Sequence, residues 1–251
     1  MAAARFMAGV RGKLPHRAAL RLRSAVNRMG YDVTRENFKH RFVNALRYNG
    51  IGTVLDIGAN TGQFGALLRR SGFAGRIVSL EPLSDAFDQL SRRAQSDASW
   101  SVERAAVSDQ LGTLTINVAG NSVSSSVLPM LERHAAAAPA SRYVAREDVP
   151  ATTVDELVVR HSINPETTLL KVDVQGYEQT VLDGAAKTLD RFGAVRLELS
   201  LVPLYEGQSL MHEMVGQLAE HGLDLWVLEP GFTEPTTRRL LQLDGVFFRR
   251  G

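Results

Sequence analysis

Four acidic residues fall at the ends of apolar runs in this chain. Asp56 sits inside Val54-Leu-Asp-Ile-Gly-Ala-Asn-Thr-Gly62. Glu81 closes Arg76-Ile-Val-Ser-Leu-Glu-Pro82. Asp173 ends Thr168-Leu-Leu-Lys-Val-Asp-Val174, and Glu178 follows at once in Gln175-Gly-Tyr-Glu178. A carboxylate at the carboxyl end of a buried strand needs a partner, because an unpaired buried charge is costly. In an open α/β sheet those strand ends frame the ligand crevice. The same residues therefore suit ligand binding or proton transfer.

The turn after the first run has the spacing Gly-x-x-x-Gly, with Gly58 and Gly62 free of Cβ clashes. A dinucleotide fingerprint would read Gly-x-Gly-x-x-Gly. A pyrophosphate also wants nearby positive charge, yet no Lys or Arg occurs between Val54 and Leu68. An acidic turn suits a ligand with a cationic end, such as the amino and sulfonium groups of S-adenosylmethionine. Glu81 lies 25 residues beyond Asp56, near the roughly 20-residue spacing of a ribose-binding acid. The bland alternative for Glu81 is a solvated strand-end carboxylate.

These residues need a scaffold of alternating strands and helices. Val54–Ile57, Arg76–Leu80, Trp100–Ala106, Thr168–Val174 and Ala194–Leu199 read as strands. Phe64–Arg70, Ala86–Gln95, Thr152–Arg160, a stretch from Glu178 through Leu189, and Leu210–His221 read as helices. Thr113–Asn117 is an extra strand. Leu223–Leu228 and Asp244–Arg249 are the last two strands. The expected fold is α/β, a Rossmann-like doubly wound, mostly parallel seven-stranded sheet with an antiparallel edge strand, plus N-terminal helices. Residues 120–150 break the alternation with small and polar residues. So long a connection is expected to be functional or mobile, and the functional reading is an acceptor lid.

Composition bounds the function further. The chain has 251 residues, no Cys and a net charge of +2. Disulfides, thiolate catalysis and Cys-based metal sites are excluded. No apolar run reaches the roughly 20 residues of a membrane span. Residues 1–50 carry 11 Lys or Arg against 2 acids, so the remainder is acidic. Nucleic acid is not an expected partner of an acidic domain. Residues 1–47 read as a basic helical arm or cap and 48–251 as the catalytic-type domain. The arm lacks the apolar core of a secretory signal. A solvated cap, a transit-type segment and a peripheral membrane contact are all open to it. The expected location is cytoplasmic, with membrane association through the arm as one option.

From about Tyr48 onward the chain resembles the FkbM-type methyltransferases, a branch of the class I S-adenosylmethionine-dependent enzymes. The resemblance is carried by Val-Leu-Asp-Ile-Gly-Ala-Asn-Thr-Gly-Gln-Phe64, by Glu81-Pro82, by Ala105-Ala-Val-Ser-Asp109, by Leu170-Lys-Val-Asp-Val-Gln-Gly-Tyr-Glu178, by Glu198-Leu-Ser-Leu-Val-Pro-Leu-Tyr-Glu-Gly207 and by Leu243-Asp-Gly-Val-Phe-Phe248. It implies S-adenosyl-L-methionine as cofactor, held by Asp56, Gly58, Asn60, Thr61, Gly62, Phe64, Glu81, Pro82, Ala106 and Asp173. It also implies O-methylation of a hydroxyl on a sugar, glycolipid or secondary metabolite.

An alcohol is a weak nucleophile, so a base within hydrogen-bond reach helps. The candidate catalytic residues are Asp173, Glu178 and His212, with His134 as a further base. Each has a plainer reading. Asp173 is satisfied by backbone N–H groups or Lys171, Glu178 complements a helix dipole, and the histidines are surface or capping residues. Glu198 could hold a sugar hydroxyl, and Tyr177, Tyr205 and Trp226 could stack on a sugar or simply pack. No metal is expected, although Asp173, Glu178 and Glu198 have ligand chemistry that suits Mg²⁺. Alternative functions are a non-catalytic S-adenosylmethionine-binding partner subunit and, opposed by the turn spacing, an NAD-dependent oxidoreductase. A nucleic-acid methyltransferase would usually show Asn-Pro-Pro-aromatic where this chain has Asp-Val-Gln-Gly.

Overall fold

The computed structural model describes residues 38–250. Apart from the first four residues of the first helix, the elements below belong to the compact unit that begins at Phe42. Residues 1–37 of the basic arm lie outside the described residues.

The central sheet has seven strands. They are β1 (Thr53–Ile57), β2 (Arg76–Leu80), β3 (Trp100–Glu103), β7 (Thr168–Val172), β8 (Ala194–Ser200), β9 (Leu223–Pro230) and β10 (Gln242–Arg249), in the order β3-β2-β1-β7-β8-β10-β9. The five strands from β3 to β8 are parallel. β10 is antiparallel to both β8 and β9 and makes the antiparallel edge pair. Strands β1, β7 and β8 are apolar because both faces are covered, and their burial is nearly unbroken. The covering helices are α1 (Phe38–Tyr48), α2 (Gln63–Arg70), α3 (Ser84–Ala94), α5 (Val154–Arg160), α6 (Glu178–Asp183) and α7 (Met211–Glu220), with the short α4 (Glu132–Ala137) elsewhere. Among the described residues no helix is long and apolar enough to cross a membrane.

Three local expectations need correction. The expected strand Trp100–Ala106 stops at Glu103, where Arg104 turns aside to pair with Glu147. Ala106–Val107 becomes β4 of a second, three-stranded sheet, with β5 (Gly112–Ala119) and β6 (Tyr143–Thr152) in the order β4-β6-β5. The helix after Asp173 ends at Asp183, and a separate 3-10 turn covers Leu189–Arg191.

The third correction concerns residues 120–150, which are not one open insertion. Tyr143–Pro150 is strand, paired antiparallel with β5. Its sequence, Tyr-Val-Ala-Arg-Glu-Asp-Val-Pro, has charges and a proline that disfavour strand locally, and the ladder with β5 overrides them. What remains between the strands is a loop from Gly120 with α4 and a 3-10 turn at Pro139–Ser141. This loop and α4 form a cap. It joins the main body through Leu131 N–H donating to Leu204 O (2.9 Å) and Glu206 N–H donating to Pro129 O (2.9 Å).

Candidate active site

A cavity of about 530 Å³ opens at the carboxyl ends of the parallel strands. That volume lies within the range of small-ligand sites. Its wall is built from the turn after β1, the start of α2, the Glu81–Leu83 turn after β2, Ala105–Val107, the Asp173–Gln175 turn after β7, and cap residues Asn121–Val127.

The turn after β1 is shaped by contact with the turn after β7. Gly58 has φ +72°, and a Cβ there would stand 1.9 Å from the Asp173 carbonyl oxygen. The glycine therefore serves a backbone crossing. Asn60 follows with φ 47°, and its N–H donates to Glu81 Oε2 at 2.8 Å. Leu83 N–H donates to Glu81 Oε1 at 3.0 Å. Each Glu81 oxygen is thus fixed by one backbone donor and keeps a further lone pair. Burial pushes the Glu81 carboxyl up to about 7, although these two hydrogen bonds and Lys171 pull the other way.

Asp56, Thr61 and Gly62, expected at the cofactor, are absent from the cavity wall. Asp56 is fully buried in β1 and turned toward its strand neighbours. In register it faces Ser79 on β2 and Lys171 on β7. Ser79 Oγ donates to Asp56 Oδ2 at 3.1 Å, and Trp100 Nε1 donates to Ser79 Oγ at 3.0 Å. Lys171 Nζ stands 3.1 Å from Asp56 Oδ1, an ion pair. Gly62 packs its Cα side against Leu90, Trp100 and Arg93, where a Cβ would come within 2.9 Å of Leu90. Thr61 N–H is taken by Asn60 Oδ1. Gly58, Asn60, Phe64, Glu81, Pro82, Ala106 and Asp173 do line the cavity.

Lys171 ties the two turns together. Its Nζ donates to Gly58 O at 2.8 Å and to Ile57 O at 3.3 Å, and it lies 3.5 Å from Asp173 Oδ2. Burial opposes its charge, but the carboxylates of Asp56 and Asp173 more than offset that, and its pKa stands above the usual lysine value. Asp173 keeps 35% of its side chain exposed. Its Oδ1 accepts from Gln175 Nε2 at 3.0 Å, and the same amide donates to Glu198 Oε2 at 2.7 Å. Gln175 has φ 58° and is held on two more sides: its Oε1 accepts from Tyr205 Oη (2.9 Å) and its carbonyl from Ser126 Oγ (2.7 Å). Burial, then the charges of Asp173 and Glu178, raises the Glu198 carboxyl well above the usual range.

Two expected bases are not on the wall. Glu178, the first residue of α6, turns back so that its Oε1 accepts the N–H groups of Val174 (3.0 Å) and Gly176 (3.2 Å). Its carboxylate braces the Asp173–Gly176 turn, and burial raises it to about 7. His212 is exposed because α7 buries Met214 and Leu218, which puts position 212 on the outer face.

His134, on α4, does line the cavity. It is 2% exposed, stands edge-on to Tyr205 (5.1 Å between centroids) and tilted to Phe232 (5.3 Å), and its Nδ1 has no hydrogen-bond partner among the described residues. Burial lowers its pKa to about 4, so the ring is neutral at pH 7. Tyr177 lines the cavity as well, whereas Trp226 packs on Phe248 away from it. Among the described residues no three His, Asp or Glu side chains gather as a metal-binding group.

The sequence reading missed Arg196, Gln242 and Asp244, which line the cavity with Glu198. A signal was present in Ala-Val-Arg-Leu-Glu-Leu: a cation inside an apolar strand implies buried partners.

A family model described as the methyltransferase FkbM domain matches residues 56–225. No curated protein matches the chain in sequence. Solved structures similar to it include an rRNA methylase from Streptococcus thermophilus, at 11% identity over 87% of this chain and 100% of that one, TM-score 0.47. A TehB-like S-adenosylmethionine-dependent methyltransferase from Corynebacterium glutamicum shares 14% identity over 93% and 97%, TM-score 0.40. Magnesium protoporphyrin IX methyltransferase from Synechocystis, with bound S-adenosylmethionine, shares 12% over 95% and 100%, TM-score 0.44.

Proposed function

The chain belongs to the FkbM methyltransferase family, whose cofactor is S-adenosylmethionine, and from that premise we propose that it methylates a hydroxyl oxygen of a sugar, glycolipid or secondary metabolite. The cavity suits the cofactor. It has the volume for a nucleoside with an amino-acid tail, and it offers Glu81, a buried acid with anchored oxygens and no salt-bridge partner among the described residues, for the ribose hydroxyls. The cofactor supplies an activated methyl group on a sulfonium. The acceptor must be held in line with it, and much of the rate comes from that positioning.

The observation that carries the hydroxyl reading is Asp173. It is a half-open carboxylate on the cavity wall, oriented by Gln175 and held close to a lysine charge. An alcohol loses its proton as the new C–O bond forms. A fixed carboxylate at hydrogen-bond distance orients the hydroxyl and takes that proton. The other acids are less suited: Glu81 is given to the ribose hydroxyls, Glu178 faces backbone N–H groups, and burial raises the Glu198 carboxyl well above the usual range. Glu178 and His212 are therefore set aside as bases.

The test is incubation of the protein with S-adenosylmethionine carrying a ¹³C-methyl group and a panel of defined glycosides, phenols and primary amines. The expected result is a ¹³C-methyl ether in one of the hydroxylated compounds. Transfer to amine nitrogen alone would overturn the hydroxyl reading.

A further inference from the structure

A cofactor with an amino-acid tail ends in an ammonium and a carboxylate. Acids abound on the cavity wall, with Glu81, Asp173, Glu198 and Asp244, but the tail's carboxylate needs a donor of positive charge. Among the described wall residues the only Lys or Arg are Lys171 and Arg196. Lys171 is already engaged by two carbonyl oxygens and two carboxylates.

Arg196 is different. Its Nη2 alone serves both acidic partners, donating to Asp244 Oδ2 at 2.8 Å and to Glu229 Oε2 at 3.2 Å. Its Nε and Nη1 have no hydrogen-bond partner among the described residues. The guanidinium lies 5.0 Å from the Phe64 ring and 5.6 Å from the Phe42 ring. Aromatic contacts of this kind hold the flat group in place, while its hydrogen-bonding edge remains usable. The side chain is 11% exposed, and it lines the cavity together with Phe64.

We propose that Arg196 binds the carboxylate of the cofactor's amino-acid tail through the donors its two acidic partners leave over. This rests on the family cofactor. Arg196 is in register with Lys171 on β7, which in turn is in register with Asp56 on β1, beside β2 and Glu81. Glu81 and Arg196 are thus three strand steps apart, about 14 Å between strand axes, and both side chains line one cavity. A nucleoside held at Glu81 extends its tail past Asp173 toward Arg196. The guanidinium fork matches a carboxylate in a way an ammonium does not.

The test is isothermal titration of the full chain with S-adenosylhomocysteine, which has the amino-acid tail, and with 5′-methylthioadenosine, which lacks it. Arg196→Met should weaken S-adenosylhomocysteine about 10- to 100-fold and change methylthioadenosine less than about threefold. Arg196→Lys keeps the charge for Asp244 but loses the fork, and it should show the same selective loss in smaller measure. It also serves if the Met variant fails to fold. Unchanged S-adenosylhomocysteine affinity, or equal loss for both ligands, would overturn the assignment and leave Arg196 a purely structural cation. A wild-type chain that binds neither ligand would instead contradict the cofactor reading.

Discussion

Lys171 and Asp56 face one another in register across β7 and β1, with Nζ 3.1 Å from Oδ1 and both side chains almost fully buried. The pair sits directly beneath the turns that carry Gly58 and Asp173. It makes the geometry of the cavity floor depend on two residues of which only one, Lys171, touches the cavity. Removing one member of a buried ion pair leaves the other uncompensated.

Lys171→Met should therefore destabilise the protein by about 3–5 kcal/mol. Adding Asp56→Asn should restore part of that loss, because the stranded carboxylate is gone. Urea unfolding of the two variants measures both effects. A single variant within about 1 kcal/mol of wild type would show that the pair does not carry the floor.

Glu81 is expected to hold the ribose hydroxyls with charge-assisted hydrogen bonds. Glu81→Ala should weaken S-adenosylhomocysteine binding by about 1.5–3 kcal/mol, the range for hydrogen bonds to a charged group. Titration calorimetry on a variant with native circular dichroism is the check. Native affinity there would remove Glu81 from the cofactor site.

Much of this was legible in the residues, and the limits were physical. The strand–turn–helix at Val54–Leu68, the mostly parallel sheet and a strand-end Glu81 all follow from local pattern, since hydrophobic period and glycine placement are local properties. The fate of Asp56 was not local. Its need for a partner could be stated, but only the register of β1 with β2 and β7 decides that Ser79 and Lys171 satisfy it and draw it off the cavity. Glu178 and His212 misled for a related reason. Glu178 follows the end of β7 and His212 lies in the first turn of the helix after β8, but one folds back on its own turn and the other sits on the outer face of α7. The β6 strand was hidden because pairing with β5, more than 20 residues away, outweighs its charged and proline-containing sequence.

The Glu178 carboxyl gives a pH prediction. Its pKa in the fold is about 7, above the roughly 4.3 of an unfolded Glu. Between about pH 4.5 and 7 the folded state keeps a proton that the unfolded chain has released, so stability falls as pH rises through that window. Glu178→Gln keeps an oxygen for the Val174 and Gly176 N–H groups but cannot titrate. The decline in unfolding free energy from pH 5 to pH 8 should therefore shrink, by up to about 3 kcal/mol, with the slope due to Glu81 remaining. A decline identical to wild type would mean that Glu178 ionises freely in the fold.

The central claim is that Asp173 orients and deprotonates an acceptor hydroxyl. The most direct measurement is the single-turnover rate of ¹³C-methyl transfer by Asp173→Asn, on the acceptor that wild type methylates, taken together with S-adenosylhomocysteine affinity. The variant keeps the side-chain shape and loses the charge. The predicted result is a rate about 10²–10⁴-fold lower with cofactor affinity changed far less, since the lost interaction grows in the transition state. A folded Asp173→Asn protein with near-native turnover would contradict the claim.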